Sequence, residues 1–416
     1  MFKVIMSSMI GNILEWFEYT IYAQFVSIIA KHFFPESELS ELLTWVLFAA
    51  GFIVRPLGGL FFGVIGDKEG RRSALSLSIV IMTLSTTLMG LLPSYSSIGI
   101  LAPVFLSIFR IMQGFSLGGE FSSCICYMVE HSNPKIKGLI GSLSFVGMNL
   151  GILLGLFIAR YMFENIDYND LFEWKWRIPF VLSSLIGFVG FYIRKRVAES
   201  PLYTKIKEGR KISESPIKDL FVKHKKDVLV GIGIYINLTS CFYTLSIYLQ
   251  NILQQKEVGF SQPQASFIII IGLVALTVSI LVSGFISDKI GRRGILILGN
   301  LLLITYSYYF FSGLEGKKFE EILYMSIVFN ILLGFYMGPV PVSLVEIFST
   351  NVRSTGVGVS YNISAAIFGG TVPVIAKILY LETANVASLS YYLILTGIMS
   401  LIVVLFLFDE NYNKKQ

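Results

Sequence analysis

Charged residues are scarce in this sequence, and their scarcity argues against a soluble globular protein. Only 14% of the 416 residues are Asp, Glu, Lys or Arg. A soluble domain uses about 25% charged residues to cover its surface. Hydrophobic residues make up 54% of the chain, and its mean hydropathy is +0.70. This composition indicates lipid as the surrounding solvent.

Cysteine and histidine are also rare, with three of each. Cys124, Cys126 and Cys241 all lie in apolar stretches, so the sequence predicts neither a disulfide scaffold nor a metal cluster. The three histidines lie in predicted loops, and the chain contains no H-E-x-x-H or P-loop motif. We therefore predict no catalytic residues and no metal site, and the protein is not expected to be an enzyme.

Long apolar windows recur throughout the chain from Ile5 to Phe408. About twelve of them reach the length of about 20 residues that crosses a bilayer. Because unpaired backbone groups are not tolerated in hydrocarbon, such windows must be helices. The predicted fold class is an all-α membrane protein with about twelve transmembrane helices. We place them at residues 5–30, 42–66, 73–93, 98–128, 138–162, 177–194, 229–253, 265–287, 294–313, 322–347, 355–380 and 388–408.

Basic residues concentrate between the sixth and seventh windows. The stretch from Arg194 to Lys226 carries eleven bases and four acids, which predicts a cytoplasmic loop by the positive-inside rule. Every second loop is also basic, so both termini are predicted to lie on the cytoplasmic side. The net charge of +6 is therefore sorted by side of the membrane and does not indicate nucleic-acid binding. We divide the chain into a six-helix bundle (1–194), a basic linker (195–227) and a second bundle (228–416). The further residues used for this orientation are the bases Arg71, Arg72, Lys135, Lys137, Arg292, Arg293, Lys414 and Lys415 and, in the opposite loops, the acids Glu36, Glu38, Glu41, Glu164, Asp167, Asp170 and Glu173.

An internal repeat supports the two halves independently of hydropathy. The pattern G-x-x-x-D-K-x-G-R-R occupies residues 63–72 and recurs at residues 284–293, which is 221 positions (284 − 63) further on. A fainter echo relates Glu130 and Lys137 to Glu346 and Arg353, after the fourth and tenth windows. We therefore predict two six-helix pseudo-repeats, an architecture common in transporters that work by alternating access.

The repeated pattern resembles the signature of the major facilitator superfamily. In that family the Asp and Arg of this loop pair with neighbouring helix ends and hold the cytoplasmic side closed. The alternative is that these charges only follow the positive-inside rule beside a glycine turn. The resemblance implies a gating role for Asp67, Arg71, Arg72, Asp288, Arg292 and Arg293.

Three further stretches resemble the metabolite:proton symporter family, whose members carry proline and betaine, α-ketoglutarate, citrate or shikimate. They are G-N-I-L-E-W-F-E-Y at 11–19, R-P-L-G-G at 55–59 and R-I-M-Q-G-F-S-L-G-G-E at 110–120. The family usually has Asp where this sequence has Glu18, which moves the carboxylate by about one methylene. The resemblance implies a multi-pass carrier of the bacterial cytoplasmic membrane.

Charges at membrane depth are few, and nearly all of them lie in the first half. Each costs at least ~2.5–3.5 kcal/mol on insertion scales and is usually functional. Three acids against two bases would leave one carboxylate able to take up a proton. The alternative is a structural ion-pair network. The candidates for proton coupling are Glu15, Glu18 and Glu120, with Glu18 and Glu15 preferred, and the two bases are Arg55 and Arg110.

The predicted substrate site combines two cations with neutral polar and aromatic side chains. Arg55 and Arg110 could bind a substrate carboxylate, and tyrosine faces suit an ammonium group. The one further deep cation of the second half is Lys377, near a helix end, which favours a zwitterion over a di- or tricarboxylate. Helix packing is the alternative role for the tyrosines. The predicted substrate-binding residues are Asn12, Tyr19, Tyr22, Arg55, Arg110, Gln113, Tyr235, Asn237, Tyr361 and Asn362.

These patterns predict a secondary active transporter that couples uptake of a small polar metabolite, such as proline or betaine, to protons. The expected partners are the substrate, protons and the lipid bilayer. We expect a monomer, no cofactor besides the coupling proton, and no nucleic acid. Two alternatives stay open. One is an uncoupled facilitator of the same substrates, and the other is a transporter-like sensor, which would normally add a soluble output domain.

Overall fold

The computed structural model describes residues 1–35 and 39–410, and every regular element in these ranges is helical. The predicted all-α class is therefore confirmed. Glu36, Glu38, Lys414 and Lys415, which entered the prediction of orientation, lie outside the described residues.

Twelve long helices follow the predicted windows, eleven of them to within four residues, whereas the first ends at Gln24, six residues before its predicted end. Those of the first half are α1 Phe2–Gln24, α2 Ser40–Lys68, α3 Arg71–Leu91, α4 Leu101–His131, α5 Pro134–Asn165 and α6 Lys175–Lys195. Those of the second half are α7 Lys225–Leu253, α8 Gln262–Ile290, α9 Arg292–Ser312, α10 Phe319–Ile347, α11 Arg353–Thr383 and α12 Val386–Phe406. Shorter helices are Val26–Phe33, Tyr95–Ile98, Tyr168–Glu173, Pro201–Glu208 and Pro216–Lys223.

Eleven helices in the described part of the chain, α2 to α12, are long and apolar enough to cross a membrane. The first helix, α1, is less apolar because Asn12, Glu15 and Glu18 interrupt it. Polar side chains in a helix of this kind are expected to face protein rather than lipid. All three are buried in the structure.

The chain forms two compact units, each of which borrows one segment from the other half of the sequence. The first comprises Met1–His131, Gly147–Ile217 and Thr350–Gly358. The second comprises Ser132–Val146, Lys218–Ser349 and the described chain from Val359 onward. The start of α11 thus belongs to the first unit, and the start of α5 belongs to the second. The predicted boundaries 1–194, 195–227 and 228–416 stay a prediction.

The same helix pairs pack in both units. In the first unit α2 packs on α4, α3 on α6, and α1 on α6. In the second unit α8 packs on α10, α9 on α12, and α7 on α12. Each pair of the second unit corresponds to a pair of the first with six added to the helix numbers, so the packing repeats as the sequence motif does.

Two π-helical turns interrupt helices of the second unit, Thr244–Tyr248 in α7 and Ala365–Gly369 in α11. The carbonyl of Phe368 in the latter accepts a hydrogen bond from the Tyr392 hydroxyl at 2.7 Å. Such turns are rare and frequently mark functional sites. Neither turn was predicted from the sequence.

Glycines bring α2 and α4 into close contact in the first unit. A Cβ atom added at Gly118 would lie 2.6 Å from the backbone nitrogen of Gly59 and would also meet the Arg55 carbonyl. Small residues allow such approach between membrane helices. Backbone atoms cannot rotate away as side-chain atoms can, so an added carbon at position 118 would force the two helices apart.

Gly118→Ala should therefore lower stability by about 1–3 kcal/mol, the usual effect of overpacking. Gly294→Ala is the matched control, because a Cβ at this helical glycine of α9 would meet nothing within 4 Å. Thermal unfolding of both purified variants in detergent would measure the effect. Equal unfolding temperatures would show that the crossing relaxes without penalty.

Candidate substrate and proton-coupling site

Four of the predicted charges are buried together in the first unit. Glu15 and Glu18 are three residues apart on α1 and share one face of that helix, while Arg55 lies on α2 and Arg110 on α4. None of these side chains is more than 2% exposed. Buried charges require partners, and the partners of the two glutamates differ.

Glu15 has a basic partner. Its Oε1 lies 3.7 Å from Nη2 of Arg55. The Arg55 guanidinium also lies 5.5 Å from the centre of the Phe52 ring. The structure thus places these two predicted residues, one for proton coupling and one for substrate binding, in a single ion pair.

Glu18 is held by neutral groups instead. The Thr86 hydroxyl donates to Oε2 of Glu18, and Nε2 of Gln113 donates to the same oxygen at 3.3 Å. Gln113 also donates to the Thr86 hydroxyl oxygen at 2.7 Å. Across the described residues, no basic nitrogen comes within 4.0 Å of this carboxylate. Thr86 was not among the predicted site residues.

Gln113 connects Glu18 to Arg110. Its Oε1 accepts a hydrogen bond from Nη1 of Arg110. The Arg110 guanidinium lies 3.9 Å from the Tyr22 ring centre and 5.3 Å from that of Tyr19. Five predicted site residues therefore form one cluster, in which a cation is surrounded by aromatic faces and joined to a carboxylate through one amide.

Glu120 has a basic partner that the sequence did not predict. Both Nη atoms of Arg194 donate hydrogen bonds to its carboxylate, and Nη1 lies 2.9 Å from Oε2. The Ser78 hydroxyl donates to the same Oε2 at 2.6 Å. Arg194 was counted among the linker bases, yet it is only 2% exposed. The count of three acids against two bases was therefore wrong, because Arg194 supplies the third base. The role of Glu120 in proton coupling stays a prediction.

The second unit has a neutral network at the corresponding place. Asn237 donates to Asn300 at 2.7 Å, and the Tyr336 hydroxyl donates to the Ile234 carbonyl at 2.7 Å and lies 2.9 Å from the Ser400 hydroxyl. Tyr336 follows Glu120 by 216 positions (336 − 120), the same spacing that separates Glu346 from Glu130. Asn237 is thus part of the core of this unit.

The other predicted substrate residues are also buried. Tyr235 and Tyr361 meet edge to face with ring centres 5.0 Å apart. Asn12 donates to the sulfur of Cys124 at 3.2 Å, and Asn362 is fully buried. These contacts are compatible with packing as well as with substrate binding, so the substrate roles stay predictions.

The first copy of the repeated motif caps a helix within the first unit. The backbone N–H groups of Ser354 and Thr355, at the start of α11, each donate to Asp67 at 2.9 Å. The Thr355 hydroxyl donates to it at 2.7 Å. An anion at a helix N-terminus is favourable because the unpaired N–H groups and the helix dipole both point at it. Asp67 also pairs with Arg71 at 2.9 Å.

Arg71 and Arg353 share a second acid. Arg71 lies 3.1 Å and Arg353 2.9 Å from Oε1 of Glu130, and the Ser200 hydroxyl donates to the other oxygen. Glu130 and Arg353 were noted in the sequence only as a faint echo of the repeat. The structure brings them into the same cluster as the predicted gating residues Asp67 and Arg71.

The second copy repeats this arrangement within the second unit. The backbone N–H groups of Gly138 and Leu139, near the start of α5, donate to Asp288 at 2.8 and 2.9 Å. Arg292 lies 3.4 Å from Asp288 and 3.5 Å from Glu346. The two motif copies therefore have equivalent geometry.

Two acids next to these clusters were not among the predicted site residues. Glu199 accepts the backbone N–H groups of Arg71 and Arg72 at 3.0 and 3.2 Å. Glu410 accepts those of Arg292 and Arg293 at 2.7 and 3.4 Å. Both acids lie four positions beyond the ends of α6 and α12, at Lys195 and Phe406. The predicted windows ended at residues 194 and 408, so this shared spacing became visible only with the helix ends of the structure.

Asp67→Ala should loosen the start of α11. Hydrogen bonds to a charged acceptor contribute about 1.5–3 kcal/mol each, so losing even one should speed local amide exchange by about tenfold or more. Hydrogen–deuterium exchange of the segment 352–358 measures this directly. Asp170→Ala changes an exposed carboxylate and should leave the exchange rate of that segment unchanged. An unchanged exchange rate in Asp67→Ala would show that Asp67 does not stabilise the start of α11.

Two repeats of helices long and apolar enough to span a membrane, with charged side chains buried in the first repeat, are typical of a polytopic membrane transport protein. The sequence matches the family model of the Major Facilitator Superfamily over residues 8–373, with a further match over 229–416. The chain belongs to this superfamily of transporters.

Relatives in bacteria carry more specific names. A putative proline/betaine transporter of Staphylococcus haemolyticus is 33% identical over 411 residues, covering 97% of this chain and 86% of its own. The proline/betaine transporter of Escherichia coli is 31% identical, covering 96% of this chain and 82% of its own. The structure of a proton:xylose symporter bound to 6-bromo-6-deoxy-D-glucose matches with a TM-score of 0.80 and 19% identity, covering 99% of this chain and 96% of its own. This last match supports the fold.

Proposed function

We propose that this protein is a proton-coupled symporter that carries a zwitterionic metabolite such as proline or betaine into a bacterial cell. It works as a monomer in the cytoplasmic membrane, with both termini cytoplasmic. The observation that carries the proposal is the setting of Glu18, a buried carboxylate held by Thr86 and Gln113. The names of the bacterial relatives support the substrate class.

A proton can bind and leave Glu18 without breaking an ion pair. A hydroxyl can donate or accept by rotating, and an amide offers both donor and acceptor atoms. Thr86 and Gln113 can therefore serve both the charged and the protonated carboxyl. Glu15 and Glu120 differ, because each has an arginine within ion-pair distance.

Arg110 supplies the connection to the substrate. A substrate carboxylate that binds its guanidinium would compete with the oxygen of Gln113. Rearrangement of Gln113 would then change the hydrogen bonds that it gives to Glu18 and Thr86. Tyr19 and Tyr22 add aromatic faces that attract an ammonium group. A carboxylate and an ammonium group on one small molecule fit this cluster.

Asp67 and Asp288 are proposed to gate this cycle through the helix starts that they cap. The capping bonds are broken and remade as the starts of α11 and α5 move during transport. The arginines of the repeated motif hold the two aspartates in place.

Reconstituted vesicles test the proposal. The purified protein is given an inward proton gradient, and uptake of labelled proline, glycine betaine, α-ketoglutarate and citrate is compared. Accumulation of proline or betaine above equilibrium, only while the gradient lasts, would support the proposal. If the internal substrate concentration only reaches the external one, with or without the proton gradient, the protein is a facilitator instead. Accumulation of α-ketoglutarate or citrate alone would overturn the substrate class.

A further inference from the structure

The second helix of the linker, Pro216–Lys223, has apolar side chains on both its buried and its exposed sides. Pro216 and Leu220 are buried. Ile217, Phe221 and Val222 are 42%, 43% and 62% exposed. Exposed apolar side chains next to one another on a short helix indicate a surface that binds something apolar.

Exposed lysines accompany this apolar surface. At about 100° per residue, Lys218 falls between Phe221 and Val222 around the helix axis. Lys225 and Lys226 are the first two residues of α7, which one residue separates from the end of this helix, and all three lysines are exposed. An apolar surface with lysines is typical of helices that lie in the membrane interface, where long lysine side chains reach the headgroups.

The position of the helix in the chain fixes it close to the bilayer. It ends at Lys223, and the membrane helix α7 begins at Lys225. The residue between them is held in place, because Nδ1 of His224 lies 2.8 Å from Asp227 and Nε2 lies 3.4 Å from the Ser349 hydroxyl. A single anchored residue therefore separates the helix from a membrane span.

We propose that Pro216–Lys223 is an interfacial helix that binds anionic phospholipids, and we call it the lipid-binding helix. Ile217, Phe221 and Val222 enter the boundary between headgroups and acyl chains. Lys218, Lys225 and Lys226 lie beside the phosphate groups, where basic residues are attracted by the negative surface potential. The proposal does not depend on what the protein transports.

A spin label on the full-length protein tests this proposal. The three native cysteines are buried, so the wild type should take up no label, which serves as the blank. The label is placed by Val222→Cys on the lipid-binding helix and, as a control, by Glu208→Cys on the exposed end of the other linker helix. Each protein is reconstituted in phosphatidylcholine alone and in phosphatidylcholine with phosphatidylglycerol. Collision rates with oxygen and with a water-soluble nickel complex report membrane depth.

The label at position 222 should favour oxygen over nickel in the anionic vesicles, and the label at 208 should favour nickel in both. Replacing Lys218, Lys225 and Lys226 with glutamine should abolish the oxygen preference at 222. Replacing Lys205 and Lys207, on the other linker helix, together with Lys211, three residues beyond its end, should leave the oxygen preference intact. Nickel access at 222 in both lipid mixtures would overturn the proposal. The proposal would also be overturned if the label at 222 favoured oxygen equally with and without phosphatidylglycerol, and equally with and without the three lysines. Apolar contact alone would then hold the helix at the membrane.

Discussion

Arg194→Ala should lower the thermal stability of this protein more than Gly118→Ala does. The substitution removes the base that pairs with Glu120 and leaves a fully buried carboxylate with the Ser78 hydroxyl. Breaking a buried pair from one side costs about 3–5 kcal/mol, because the remaining charge loses its partner without regaining water. Arg194 also donates to the carbonyls of Ser7 and Leu75, so three helices lose a shared contact.

Thermal unfolding in detergent measures this effect, and the chain offers a matched control. Arg160 and Glu164 form an Arg–Glu pair at 2.8 Å, but both side chains are more than half exposed. Arg160→Ala should change stability by only about 0–1 kcal/mol, as exposed pairs do. A double variant, Glu120→Leu with Arg194→Met, should recover part of the loss because it leaves no unpaired charge. Equal unfolding temperatures for the two arginine variants would contradict the structural role of Arg194.

Glu18→Gln should abolish proton-driven accumulation while preserving exchange of substrate across the membrane. Glutamine has nearly the same shape and can keep hydrogen bonds to Thr86 and Gln113, but it cannot bind and release a proton near neutral pH. The expected accumulation ratio therefore falls to equilibrium. Exchange of labelled for unlabelled substrate should continue, because it needs no net proton transfer.

Two controls make the result specific to Glu18. Glu164→Gln changes an exposed carboxylate and should leave accumulation at the wild-type level. Glu15→Gln removes the ion-pair partner of Arg55, so it should lower stability as well as transport. Sustained accumulation by Glu18→Gln in vesicles of wild-type quality would exclude Glu18 as the proton carrier. Loss of exchange together with accumulation would indicate a binding or folding defect instead.

The helices were predictable because the bilayer imposes a length and a polarity on each of them. The predicted windows match α2 to α12 to within a few residues. Family membership was predictable for a related reason, since the motif at 63–72 and 284–293 repeats in one register. The π-helical turns were not predictable from such patterns, because local hydropathy does not report backbone geometry.

The charged residues of the site on α1, α2 and α4 could be predicted from the sequence. Glu15, Glu18, Arg55 and Arg110 stand out in apolar windows, where charge is costly. The ion pairs that these residues form could not be predicted from the sequence. The sequence places Arg194 at the head of a basic linker, and only the fold turns its side chain inward to Glu120.

The sequence by itself thus determined the class of protein, the series of apolar helices along the chain and the residues that carry charge into them. The tertiary structure alone decided the partners: Arg55 for Glu15, Arg194 for Glu120, and the neutral Thr86 and Gln113 for Glu18. The physical reason is the range of the two effects. Transfer of a side chain into lipid depends on its own chemistry and its neighbours along the helix, whereas an ion pair depends on a few ångströms between helices that are distant in sequence.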